Sequence, residues 1–179
     1  MHTLKLVIGL AWIVFWLYWL VSAGAAKESV SGGWRTRIVG GGAIGAFVIV
    51  GILPRSLPTR VLALAVPGAV LFACGIALAV WARLHLGRNW GMPTSQRADP
   101  ELVTSGPYRF VRHPIYTGLL TALLGTALVD SLTGLIVVAV LVPYFYYCGT
   151  VEEKNLTASF PAAYPEYKKS TKMLIPFLL

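Results

Sequence analysis

Charged residues are scarce in this chain. They make up 12% of its 179 residues, and only seven are acidic, against roughly 25% charged residues in soluble domains. A molecule wetted on all sides is therefore excluded. Cysteine is nearly absent: Cys74 and Cys148 both lie in or at the end of apolar segments, which argues against a disulfide framework. There is no internal repeat and no low-complexity tract, which removes solenoid architectures. What fills the chain is apolar, with 56% hydrophobic residues and a mean hydropathy of +0.70. Runs long enough to span a bilayer recur, and the length leaves no room for a separate soluble domain of ordinary size. The reading is one all-α integral membrane domain over residues 1–179.

Five spans can be drawn. The first covers Leu6–Val21 and carries Trp12, Trp16, Trp19 and Tyr18 toward an interface. Ser22-Ala23-Gly24-Ala25 behind it resembles a signal-peptide cleavage site. The run is long and Trp-rich for that role, so it is read as a retained span. The second, Ile38–Leu53, contains Gly41 and Gly45, a small-xxx-small pair that admits a close neighbour. The third, Val61–Trp81, holds Pro67-Gly68, an expected kink. The fourth runs from Pro114 to Val129 and the fifth from Leu132 to about Cys148, separated only by Asp130-Ser131. These two are expected to form a tight antiparallel hairpin. At about 24 Å each they are short for a full hydrocarbon core.

Charge orients the bundle. Lys27, Arg35, Arg37, Arg83, Arg88, Arg97, Arg109, Arg112, Lys154, Lys168, Lys169 and Lys172 fall on one side, twelve of the 15 Lys and Arg. Lys5, Arg55 and Arg60 fall on the other. The positive-inside rule places the amino terminus outside, and the 83–112 loop and the carboxy-terminal segment in the cytoplasm. The same placement disposes of nucleic acid as a partner, because the basic residues flank spans. No metal-ligating cluster stands out.

The cytoplasmic side then concentrates polar groups. Gly106-Pro-Tyr-Arg-Phe-Val-Arg-His-Pro-Ile-Tyr-Thr-Gly118 leads into the fourth span. Pro114 suits the first helical position, where its missing N–H costs nothing. His113 then stands at the cap and Tyr116 in the first turn. Free amides and the positive end of the helix dipole favour an anionic group there, and Arg109 and Arg112 add charge. On the fifth helix and its extension, Tyr144, Cys148 and Glu152 are spaced to share a face. The pair Glu152-Glu153 attracts a cationic group. A ligand with an anionic end, a cationic end and an aromatic part suits both sites. S-adenosylmethionine and a nicotinamide dinucleotide each meet that description.

A resemblance adds to this. Leu102-Val-Thr-Ser-Gly106-x-Tyr108-x-x-x-Arg112-His113-Pro114-x-Tyr116-x-Gly118 resembles the isoprenylcysteine carboxyl methyltransferase family and its phospholipid methyltransferase relatives. So do Gly87-x-Asn89-Trp90 and Glu152-Glu153-x-x-Leu156…Phe160…Tyr164-x-Glu166-Tyr167-Lys168-Lys169…Pro176-Phe177, giving a matching half over residues 87–177. The resemblance implies a cytosol-facing S-adenosylmethionine pocket built from membrane helices. Its expected cofactor contacts are Pro100, Glu101, Leu102, Val103, Tyr108, His113, Pro114, Ile115, Tyr116 and Glu152. Arg112 and Glu153 are the expected catalytic residues, and Asn89, Trp90, Tyr144 and Cys148 the expected substrate contacts. Eukaryotic members carry an Arg where this chain has Cys148, which puts a prenylcysteine carboxylate in question as substrate. The Gly common after Phe160 is here Pro161. There is no G-x-G-x-x-G placed after a strand, in keeping with a cofactor site that is not a Rossmann domain.

The implied function is an integral membrane methyltransferase acting on a lipophilic or small carboxylate, thiol or amine acceptor. Two other readings stand beside it. A sterol-reductase-type enzyme shares a similar Arg-His-Pro-x-Tyr region and uses NADPH, and a non-catalytic membrane scaffold would keep the helices without a cofactor pocket.

Overall fold

The structure is a computed structural model that describes residues 1–23, 29–31, 62–90, 96–97 and 100–175. The expected second span, residues Lys27, Arg35, Arg37, Arg55 and Arg60, and Pro176-Phe177 lie outside the described residues. Within them run helices α1 (His2–Ala23), α2 (Leu62–Leu86), α3 (Pro114–Val129), α4 (Gly134–Ser159) and α5 (Ala163–Ser170). A short antiparallel pair joins β1 (Ser29–Ser31) to β2 (Gln96–Arg97). Three of the segments, His2–Ser22, Ala63–Asn89 and Gly134–Ser159, are long and apolar enough to cross a membrane, and Pro114–Val129 is a shorter apolar helix. The protein is a multi-pass integral membrane protein built from helices.

The most extensive helix contact is between α2 and α3. Small residues make it possible. Gly75 and Gly118 face each other so closely that a Cβ added to either would stand 2.6 Å from the other's carbonyl oxygen. Gly68 and Gly125 repeat the arrangement one or two turns away, and Ala65, Ala79, Ala82 and Ala122 are fully buried. Inside a bilayer the apolar effect gives helices little reason to associate, so close backbone packing must supply the attraction. Gly41 and Gly45, where such a contact was expected, lie outside the described residues. The sequence signal of the contact between α2 and α3 is a pair of glycines seven residues apart on each helix, Gly68 and Gly75 on one and Gly118 and Gly125 on the other.

α1 lies along this pair. Trp12 Nε1 donates to Thr126 Oγ1 at 3.1 Å. Lys5 Nζ reaches the Asp130 carbonyl at 2.8 Å and its carboxylate at 3.1 Å. Phe15 enters the main apolar cluster with Tyr116, Leu119, Val137, Leu141 and Phe145.

Two boundaries differ from expectation. α2, with Pro67 inside it, runs to Leu86 rather than stopping at Trp81. α4 does not end near Cys148; its 26 residues carry it to Ser159, about 39 Å at 1.5 Å per residue. Only α3 is as short as expected. The stop for α4 comes from Pro161, because the residue before a proline is disfavoured in the α conformation, and Phe160 leaves it with φ −131° and ψ 67°. Glu152 and Glu153 are therefore helical residues, one turn beyond Cys148.

Gly118→Val is expected to destabilise the protein by about 3 kcal/mol or more, because the close approach cannot relax. Gly9→Ala, with open space around it, should stay within about 0.5 kcal/mol. Thermal unfolding of both variants in detergent checks the pair.

Candidate functional site

The site is assembled where α3 begins. The chain approaches through a 3-10 turn, Gly106–Arg109. Gly106 has φ +59°, and any Cβ there would strike the His85 ring, so both backbone and space demand glycine. The turn buries Tyr108, whose hydroxyl donates to the Ala82 carbonyl at 3.4 Å, while Tyr167 Oη donates to the Tyr108 carbonyl at 2.5 Å. His113 is the N-cap of α3 and Pro114 its first residue; no side chain caps the first-turn amides.

Segment 171–174 lies directly on this entrance. Val111 and Lys172 form a parallel bridge. Arg112 N donates to the Lys172 carbonyl at 2.8 Å and His113 N to the Met173 carbonyl at 3.1 Å. Thr117 Oγ1 donates to the Leu174 carbonyl at 2.6 Å. Met173 and Leu174 are buried in the main cluster beside Cys148. The segment forms part of the wall of the site.

Glu153 binds these pieces. Its carboxylate is buried and accepts from Arg112 Nε at 2.6 Å, while Lys168 Nζ lies 2.6 Å from the other oxygen. His113 Nε2 stands 3.5 Å away, an ion-pair separation too long for a hydrogen bond. Arg112 Nη1 also donates to the Thr171 carbonyl. Three cationic groups from two segments thus converge on one carboxylate.

Glu152 faces the other way. It accepts from the Tyr116 hydroxyl, lies 3.3 Å from His113 Nδ1, and its side chain keeps 25% of its exposure. Tyr116 is stacked between His113, at 5.5 Å, and Phe145, at 4.6 Å. Gly149 makes room for the imidazole, since a Cβ there would sit 3.2 Å from His113 Nε2. Burial disfavours a charged His113, but its contact with Glu152 and the negative charge of Glu152 and Glu153 outweigh it and raise its pKa.

The structure thus gathers Arg112, His113, Pro114, Tyr116, Glu152 and Glu153 into one cluster. Cys148 and Tyr144 lie on the same helix, in and against the apolar cluster that holds Tyr116, and Ile115 packs on that cluster. Asn89 and Trp90 sit at the end of α2, where Asn89 Nδ2 donates to Glu101 Oε2 at 3.2 Å. Among the described residues Pro100, Leu102 and Val103 make no hydrogen bond to the α3 entrance. Lys168, Thr171 and Gly149 were not anticipated as site residues. Neither Gly149 nor the tail pairing has a local signal in the sequence.

These features define a multi-pass helical membrane protein with a polar cluster at the end of its helices, closed over by a later segment of the chain. Comparison with known proteins gives the family. The chain belongs to the phospholipid methyltransferase family, whose model matches residues 63–163. It is 38% identical over 87 residues to the protein-S-isoprenylcysteine O-methyltransferase of Saccharomyces cerevisiae, covering 48% of this chain and 36% of that protein. It is 37% identical over 82 residues to methanethiol S-methyltransferase 1 of Bradyrhizobium diazoefficiens, covering 46% and 28%. The chain therefore spans well under half the length of these curated relatives. Its fold is similar to that of the eukaryotic intramembrane Ras methyltransferase, isoprenylcysteine carboxyl methyltransferase, with a TM-score of 0.55, 22% identity, and 83% of this chain and 55% of that one covered.

Two outcomes follow from the cluster. Glu153→Gln strands Arg112 in a buried position and should cost about 3–5 kcal/mol. Because folding raises the His113 pKa, its contribution to stability is complete below the ordinary value of ~6.5 and is lost as pH rises through the raised one. Thermal stability in detergent is expected to fall on alkalinisation through that range, and His113→Gln should remove this pH dependence.

Proposed function

We propose that the protein is an S-adenosylmethionine-dependent methyltransferase of the membrane. The observation that carries the reading is the Glu152–His113–Tyr116 cluster at the uncapped start of α3, within the segment that matches the family. The donor set fits such a cofactor. Glu152 offers a partly exposed carboxylate to a cationic group, the first-turn amides of α3 offer N–H donors to an anionic one, and aromatic residues stand between. Arg112 is committed to Glu153 and Thr171, so the anionic end falls to the amides. The fuller set of contacts, Pro100, Glu101, Leu102, Val103, Tyr108, His113, Pro114, Ile115, Tyr116 and Glu152, is proposed on the same basis.

When bound, S-adenosylmethionine supplies a methyl group already activated on a sulfonium. The protein has then to align an acceptor with it and keep water out. His113, Tyr116 and Phe145 pack as a stack that fixes the entrance, and segment 171–174 covers it. An anionic acceptor needs no base. A neutral thiol or amine does; Glu153, whose carboxylate is taken up by Arg112 and Lys168, is proposed to anchor the site rather than to take that proton. The acceptor is an apolar or small carboxylate, thiol or amine, reaching the site past Asn89, Trp90, Tyr144 and Cys148.

The proposed topology has five spans, the last two forming a hairpin around Asp130–Thr133. The amino terminus lies outside, and the 83–112 loop, the site and segment 160–175 in the cytoplasm. The asymmetric distribution of Lys and Arg supports this orientation.

Calorimetric titration of the purified protein with S-adenosylmethionine and with NADPH tests the reading. S-adenosylmethionine should bind, and His113→Ala and Glu152→Ala should each weaken it by roughly tenfold or more, about 1.4 kcal/mol. Binding of NADPH alone would instead support a reductase.

A further inference from the structure

Arg83 has no place in the site just described. It lies near the cytoplasmic end of α2, only 4% exposed. Among the described residues no carboxylate pairs with it. An isolated buried guanidinium is costly unless its hydrogen bonds are satisfied, and here they are satisfied only in part. Nη1 donates to the Gly87 carbonyl at 2.7 Å and Nη2 to the Ser22 carbonyl at 2.6 Å. Nε is buried with no acceptor. Two of the five N–H groups in the guanidinium fork thus have a carbonyl acceptor, and the buried Nε–H has none.

Its surroundings are aromatic. The guanidinium stands 4.7 Å from the Trp90 ring centre and 6.0 Å from that of Trp19, and these two rings meet edge to face at 5.8 Å. From Trp19 the aromatic line continues through Phe15, 5.0 Å away, which belongs to the same apolar cluster as Tyr116 and Phe145. A second orphan lies close in sequence: Asn89 Oδ1 is buried without a donor. The apolar line therefore runs from a cation with a buried, unpaired Nε–H to the core that backs the proposed cofactor site. The carbonyls and rings fix the fork in position before any ligand arrives. Such preorganisation is what an oxyanion site requires.

We infer that Arg83 holds an oxyanion of the methyl acceptor, with the acceptor's apolar body lying along the Trp90–Trp19–Phe15 line. This rests on the methyltransferase reading for the word acceptor. The subsite itself, an oxyanion-bearing amphiphile on Arg83, stands on its own geometry. It makes Arg83 the residue that selects anionic acceptors over neutral ones of the same apolar body.

The test uses the full chain in nanodiscs of zwitterionic lipid, at mildly alkaline pH. Dodecanoate, dodecyl phosphate and dodecanol share one apolar body and differ in the head group, and Trp fluorescence reports their binding. Wild type is expected to bind both anions roughly tenfold more tightly than dodecanol, and Arg83→Gln to abolish the difference. Arg83→Lys keeps the charge without the fork and should retain part of the preference; it also serves if the Gln variant does not fold. S-adenosylmethionine affinity, titrated in parallel, should change less than about twofold in either variant. Equal binding of the three amphiphiles by wild type, or an anion preference that survives in Arg83→Gln, overturns the inference. So does a large loss of S-adenosylmethionine affinity in the variants, which would assign Arg83 to the cofactor. Anion preference in a protein that binds no S-adenosylmethionine would sink the methyltransferase reading and leave the oxyanion subsite standing.

Discussion

Glu153 sits one turn past the point where α4 was expected to stop, and its carboxylate collects Arg112 from the entrance of α3, Lys168 from α5 and the edge of His113. Removing one partner from a buried ion pair is far more damaging than its net contribution would indicate, because the remaining charge is left unpaired. Much of the site depends on this arrangement. Arg112 also reaches the Thr171 carbonyl, so the same contact that neutralises Glu153 also draws segment 171–174 onto the entrance. That segment in turn accepts from the backbone of Arg112 and His113 and buries Met173 and Leu174. With His113 so held, its ring stacks on Tyr116 and sets the position of Glu152.

The adjacent carboxylates thus have divided roles. Glu153 is consumed by internal cations and works as a structural anchor within reach of the chemistry. Glu152 keeps an exposed edge, with the Tyr116 hydroxyl and His113 Nδ1 beside it. Beneath them, the glycine contact between α2 and α3 provides the rigid base. Gly75 against Gly118, and Gly68 against Gly125, hold the two backbones close, so the start of α3 and the end of α2 occupy fixed relative positions. Arg83 and the Asn89-Trp90 turn lie at that end of α2.

Local chemistry made some of this legible in the sequence. Pro114 announces the start of α3, and the helix begins there with His113 as its cap. Pro161 announces the end of α4; the apolar run ends earlier, near Cys148, so the expected span stops there while the helix carries on through the extension that holds Glu152. The convergence of Glu153 with Lys168, and the pairing of Val111 with Lys172, join positions far apart in the chain and leave no periodic trace. Arg83 reads in sequence as one more basic flank of a span. Its burial between Trp19 and Trp90 comes from the packing of α1 on the end of α2, which no local pattern encodes.

The central claim is that one cofactor joins the entrance of α3 to the carboxylate of α4. Hydrogen–deuterium exchange of the protein in nanodiscs, with and without S-adenosylmethionine, tests it most directly. The account predicts slowed exchange together in residues 108–117 and 150–174, with α1 unchanged. No protection in either segment at saturating S-adenosylmethionine, or protection confined to α1, would contradict it.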